Sequence, residues 1–258
     1  MPDETVAGVR RALNVASAAE LPELILRFSA DSRPGVVDAV AKASRQLARE
    51  TAEIERLERM AECQARLHSE GFAVIAGADE VGRGCLAGPV TAGAVVLDAF
   101  TRIPGLDDSK RLTPETRVVL DKVIRQHAVA VAVAHVDPPT IDAVGIVAAN
   151  VFAMRRAVEA LGTEVDHVLV DGLPVDVGRP STAVVGGDRL VSAIAAASIV
   201  AKVERDALMR ELHHEFPEYD FAGNKGYGTV EHIEVIRRIG PCRMHRMSFA
   251  PCGQDSLF

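Results

Sequence analysis

The chain has 258 residues, 48% hydrophobic and 25% charged, a balance that excludes a disordered chain and leaves room for a sizeable core. A net charge of -7 disfavours coating nucleic acid by bulk electrostatics but leaves room for a local groove, since two bound divalent cations would offset more than half of it. Apolar runs fall short of the ~20 residues of a membrane span, the N-terminus lacks signal-peptide features, and the four cysteines show neither CxxC nor zinc-type spacing, so a cytoplasmic protein with reduced thiols is expected.

In chain order, residues 1–70 read as helical. Shorter helices are expected around "VRRALN" and "ELPELILRF", then a long amphipathic helix from Val36 to Gly71. Leu47, Ile54, Leu57, Met60 and Leu67 give that helix one apolar face. From Phe72 the texture changes to short Val- and Ala-rich strands: "FAVIAGAD", "VTAGAVVL" and "AVAVAVAHV". One helix is expected over 139–162, with Pro139 near its start and Gly162 after its end. Two more strands, "DHVLVD" and "STAVVGGD", precede a second long helix from about Leu190 to Phe216. The remainder holds one short helix and loops, and from Ala222 onward five Lys or Arg stand against three acids. This order predicts an α/β protein with a mixed sheet flanked by helices. Its parts are a helical extension (1–70), a core (71–217) and a C-terminal helical and loop segment (218–258).

Three acids, Asp79, Asp171 and Asp188, each end a strand or begin the element after it, where sites on open sheets assemble. Singly they have bland roles: Asp171 as a turn residue, Asp188 as the cap of the next helix. Gathered together they would repel one another unless a cation neutralised them, and oxygen ligands without histidine or thiolate favour Mg²⁺ or Mn²⁺. A pair of such ions suits phosphoryl chemistry. Glu80 follows Asp79 directly, so in a regular strand the two face opposite ways, and both reach one site only if the chain turns there. Gly82, Arg83 and Gly84 come next. Glycines let the backbone approach a sugar, arginine meets phosphate, and backbone groups can read a 2′-hydroxyl. Tyr227, in the glycine-flexed "NKGYGT", suits stacking on a sugar or base.

Together "IAGADEVGRGCLAGPV", "DDSKRLTPETR", "VLVDG", "GDRLVSAIAAASIVAKVERD", "NKGYGT" and "HRMSF" resemble the bacterial ribonuclease HII family, in matching order from residue 75 to 249. Residues 1–70 are similar to an N-terminal extension of some members. The resemblance implies a ribonuclease H-like fold and endonucleolytic cleavage of RNA paired with DNA, including single ribonucleotides within duplex DNA. It implies metal-binding carboxylates at Asp79, Glu80, Asp171 and Asp188. Gly82, Arg83 and Gly84 would contact the 2′-hydroxyl and nearby phosphates, Tyr227 the following sugar, and Ser109 and Lys110 phosphates. The implied cut is 5′ of the ribonucleotide, leaving a 3′-hydroxyl and a 5′-phosphate. Cys85 stands where the family more usually has proline. Asp206 competes with Asp188 as fourth ligand, with Asp188 preferred and Asp206 expected on a solvated helix side; Lys202 can pair with an acid or a phosphate. His245 and Arg246 are expected at nucleic acid or in the core. The tail "QDSLF" has the look of a replication-clamp peptide, and a monomer is expected. Two alternatives stay open: another two-metal nuclease on the same fold, and a binding module whose acids hold a structural cation.

Overall fold

The computed structural model describes residues 4–253. The chain divides after Glu58 into two compact units. The first begins with helices α1 (Val6–Val15) and α2 (Leu21–Phe28), and the division falls within α3 (Pro34–Ser69). Thr5 caps α1 through its hydroxyl, and Val9, Leu13, Leu21, Phe28, Val36 and Ala43 form a small core. The helices expected for this part are present.

The second unit is built on a five-stranded sheet: β1 (Ile75–Val81), β2 (Val90–Val96), β3 (Ala130–Val136), β4 (His167–Asp171) and β5 (Ser181–Val184). The spatial order is β3-β2-β1-β4-β5. β1, β2 and β3 pair antiparallel, whereas β4 lies parallel to β1 and β5 parallel to β4. The expected mixed α/β sheet is thus observed.

Helix α4 (Pro114–His127) follows a single 3₁₀ turn at Ser109–Arg111 and was not foreseen. Thr113 caps it and Pro114 opens it. The single helix expected over 139–162 is broken in two, α5 (Pro138–Val144) and α6 (Ile146–Glu159), because Gly145 takes φ 78°, which an α-helix does not accommodate. One turn, α7 (Gly187–Leu190), precedes the long α8 (Ser192–Glu215). The C-terminal segment adds α9 (Phe221–Asn224) and α10 (Val230–Ile239). Among the described residues no helix is long and apolar enough to cross a membrane.

Strand periodicity of two sorts the residues of β1 between the faces of the sheet. Ala76 and Ala78 join Ala149, Ala153, Met154 and Ala157 of α6 in the main core. Ile75 packs with Ile194 of α8, and a side chain at Gly77 would strike the backbone of Ala193 at 2.2 Å. On β2, a Cβ at Gly93 would lie 2.4 Å from the carbonyl oxygen of Ala197. The alanine-rich start of α8 therefore lies almost directly on the backbone of β1 and β2.

Candidate active site

Parallel pairing of β1 with β4 sets the site. The register Ala78↔Val170 puts Asp79 and Asp171 next in line at one edge, and Asp171 pairs with Val184 at the end of β5. The chain then turns through Gly186 and Gly187 to bring Asp188 back. The backbone N–H of Gly187 donates to Asp171 Oδ1 at 2.7 Å, pinning this turn to the carboxylate. As a result Asp79, Asp171 and Asp188 each offer an oxygen within 4.8 Å of the others, with Asp79 4% and Asp188 5% exposed. Asp188 lies inside α7 and does not cap α8, whose first residue follows Val191 with no side-chain cap.

Glu80 stands apart from this trio. β1 runs straight on to Val81, so Glu80 faces the α6 side, where the Asn150 amide bonds it. It remains close enough to Asp171 for the two charges to interact. Asp206 also lies outside the trio, and it is not solvated: at 7% exposure it pairs with Lys202 at 2.6 Å and Arg117 at 3.7 Å.

Electrostatics describe a site short of positive charge. Burial pushes the Asp79 carboxyl well above the usual range; the Ser198 hydroxyl opposes this, and the charges of Glu80 and Asp171 add to it. Burial likewise raises Glu80, opposed by Asn150 and Arg83. Asp188 is raised by burial, Asp108 and Asp171, with Lys110 opposing. Burial works against the Lys110 charge, but Asp108, Asp188 and Asp79 outweigh it and raise its pKa. Three hard oxygen donors gathered within 4.8 Å of one another, with no thiolate or imidazole among them, fit a divalent cation of the Mg²⁺ or Mn²⁺ kind.

The residues expected around the acids are placed unevenly. Lys110 Nζ is 3.5 Å from Asp188 Oδ2 and largely exposed. Ser109, expected to meet phosphate, is 3% exposed, and its Oγ lies 2.9 Å from Ser198 Oγ. It therefore supports the Asp79 partner from beneath. Gly82 has φ 83°, and a Cβ there would meet Arg205 Nε at 2.2 Å, whereas Gly84 opens onto free space. Arg83 is half-exposed, with Nη1 3.9 Å from Glu80 Oε1. Tyr227 is 41% exposed, and its ring lies 5.9 Å from both Lys202 Nζ and Arg205 Cζ.

Two arginines missed or left open by the sequence build this loop. Arg246, fully buried, donates to the carbonyls of Gly82, Arg83 and Gly88. Arg205, also fully buried, donates to Pro89, Lys225 and Ala87. The amides of Leu86 and Ala87 both donate to the Gly226 carbonyl. The glycine-arginine loop and the Tyr227 loop are thus one assembly, held through buried cations whose partners are backbone oxygens. Arg246 belongs to the core and does not face nucleic acid. Ser198 and Asn150 were likewise missed; only their partners 89 and 70 positions away reveal them.

Comparison with known proteins agrees with this architecture. The family model described as Ribonuclease HII matches residues 76–252, and Ribonuclease HII N-terminal domain matches residues 5–68. A ribonuclease HII of Koribacter versatilis is 45% identical over 223 residues, covering 85% of this chain and 87% of that protein. The ribonuclease H2 of Pyrococcus horikoshii shares the fold with a TM-score of 0.60 at 24% identity, covering 70% of this chain and 95% of that one. The ribonuclease HII in a PCNA complex from Archaeoglobus fulgidus gives 0.58 at 24% identity, over 69% and 95%. Bst-RNase HIII in complex with Mn²⁺ gives 0.53 at 19% identity, over 72% and 70%. The chain belongs to the ribonuclease HII family, the divalent-metal-dependent ribonucleases H that cut the RNA strand of RNA/DNA hybrids.

Proposed function

We propose that this ribonuclease H incises duplex DNA on the 5′ side of an embedded single ribonucleotide, as well as cutting longer RNA/DNA hybrids, and leaves 3′-hydroxyl and 5′-phosphate ends. The observation that carries this reading is the trio Asp79, Asp171 and Asp188 beside the glycine-arginine loop. Asp79, Asp171 and Asp188, with Glu80 at the side, would hold two divalent cations, Mg²⁺ or Mn²⁺. Bound there, such ions activate water and stabilise the leaving oxygen of a phosphodiester.

The chain's own groups choose the bond to be cut. Backbone groups of Gly82 and Gly84 read the 2′-hydroxyl, which separates a ribonucleotide from its DNA neighbours. Arg83 and Lys110 meet the flanking phosphates, their exposed cations already beside the acids. Tyr227 packs on the following sugar. Ser109 and Ser198 hold the Asp79 carboxylate in place. The nucleotide reader favours this over another two-metal nuclease, which has no use for a 2′-hydroxyl contact. The protein acts as a monomer, and its four free cysteines suit a reducing cytoplasm. Contact with a replication clamp through "QDSLF" finds support in the PCNA complex of the Archaeoglobus relative; that tail lies outside the described residues.

The test is an end-labelled DNA duplex with one ribonucleotide, incubated with protein and Mg²⁺ or Mn²⁺, beside an all-DNA duplex and the Asp79→Asn variant. A single cut 5′ of the ribonucleotide, absent from both controls, is expected. Metal binding by folded protein without any cleavage would overturn the reading in favour of a binding module.

A further inference from the structure

His232 and His245 are 1% and 2% exposed, and their Nε2 atoms lie 3.0 Å apart. His232 Nδ1 is 2.8 Å from the carbonyl oxygen of Tyr227, and His245 Nδ1 is 3.0 Å from the backbone nitrogen of Cys242. Each contact fixes a proton. A backbone N–H only donates, so His245 Nδ1 accepts and its ring proton stands on Nε2. A carbonyl only accepts, so His232 carries its proton on Nδ1 and accepts at Nε2. The two assignments meet without conflict: His245 Nε2–H donates to His232 Nε2.

The Cys242 carbonyl also lies 3.3 Å from His245 Nδ1. A proton placed there would run into the Cys242 N–H and leave two bare Nε2 atoms facing each other, so this arrangement is excluded while both rings are neutral. The surroundings keep them neutral. Tyr219 and Phe221 wall the pair, with ring centroids 4.7 and 5.6 Å from His245, and the Tyr219 hydroxyl is spent on the Gly240 carbonyl. Burial pushes the pKa of both imidazoles down.

We propose that His245 and His232 form a one-way hydrogen-bond relay, from the Cys242 N–H to the Tyr227 carbonyl, that positions Tyr227 for substrate. The relay ties the loop bearing Tyr227 to the segment bearing Arg246, so the tyrosine is set by the same element that staples the glycine-arginine loop. This rests on the reading of Tyr227 as a sugar contact. His232 and His245 are positioning residues and touch no substrate themselves.

The experiment uses the full-length protein. Nitrogen-15 NMR of the imidazoles at pH 7.5 is expected to show His245 protonated at Nε2 alone and His232 at Nδ1 alone; identical tautomers, or a cationic ring, overturn the relay. Two variants then separate its ends. In His232→Asn the amide replaces Nδ1 and keeps the bond to Tyr227. In His232→Gln the side-chain oxygen replaces Nε2 and keeps only the bond from His245. On the single-ribonucleotide duplex, His232→Gln is expected to raise KM about fivefold with kcat changed by less than about twofold, and His232→Asn to recover most of the loss. Adding His232→Gln to Tyr227→Ala is expected to cost nothing further. Equal KM for the Gln and Asn variants, or effects that multiply with Tyr227→Ala, overturn the proposal. Tyr227→Ala with unchanged KM overturns the sugar-contact reading itself, and the relay's role with it, whatever the tautomers.

Discussion

Asp79 occupies a place that resists its own charge. It is buried, it lies within reach of Asp171 and Asp188, and the Ser198 hydroxyl, the Glu80 N–H and the Lys110 charge offset burial and repulsion only in part. A divalent cation resolves this conflict; so does removal of the charge. Asp79→Asn is therefore expected to be more stable than wild type in EDTA by about 1 kcal/mol, a rise in Tm of roughly 2–4 °C, while losing the stabilisation that Mg²⁺ gives wild type. Thermal melts of both proteins with EDTA and with Mg²⁺ check this, and a destabilised variant in EDTA would mean the acids are not in conflict. The trio was legible because each acid stands near the end of an apolar strand or in the element that follows one, a position that sequence displays directly. Ser109 was not: its hydroxyl turns inward because Ser198, 89 residues on, offers it a partner, and no local pattern announces such a contact. Arg246 sits within a quoted motif, yet only the fold shows three carbonyls converging on its guanidinium.

Helix α8 carries Ser198, Lys202 and Arg205, so the site depends on where that helix lies on the sheet. Its seat is glycine and alanine. Gly93 stands opposite Asp79 in the β1–β2 register, and an added Cβ would press on the Ala197 carbonyl oxygen, the residue before Ser198. Backbone cannot swing aside as a side chain does. Gly93→Ala is expected to cost about 1–3 kcal/mol in urea unfolding, with midpoint lowered and slope unchanged, and to reduce kcat about tenfold because Ser198 shifts away from Asp79. Full stability in the variant would refute the close seat. The strands and both long helices were readable from period and composition, with most ends within two residues, although β1 begins three residues later than expected and β5 ends four residues earlier. Helix α4 was also within reach, since Thr113-Pro114-Glu115 is a cap, a proline at the first helical position and an acid in the first turn. The break at Gly145 was not announced, because an isolated glycine inside a helical pattern is usually tolerated.

For the molecule as a whole, stability follows the difference in protons bound by the folded and unfolded chains. Burial holds His245 at about 4 in the fold and lowers His232 as well, against an ordinary value of 6.5. Both become cations on protonation, so as pH falls the unfolded chain takes up these protons first. Their contribution is complete above about pH 6.5 and is lost as pH falls towards 4. The acids act with the opposite sign. Asp79, Glu80 and Asp188 are raised, so the folded chain protonates them first and their mutual repulsion is relieved in acid. One stability curve against pH therefore mixes two opposed trends. Comparison with His245→Asn separates them, because the variant keeps an acceptor for the Cys242 N–H, does not titrate at that position and shares every acid with wild type. The stability of wild type minus that of His245→Asn, from urea unfolding, is expected to fall by on the order of 2 kcal/mol between pH 7 and pH 4.5 once solvent screening is allowed for. A difference that stays flat would place His245 at its ordinary value within the fold. The neutral pair would then be confined to pH above about 6.5, since a cationic His245 carries a proton on Nδ1 that opposes the Cys242 N–H.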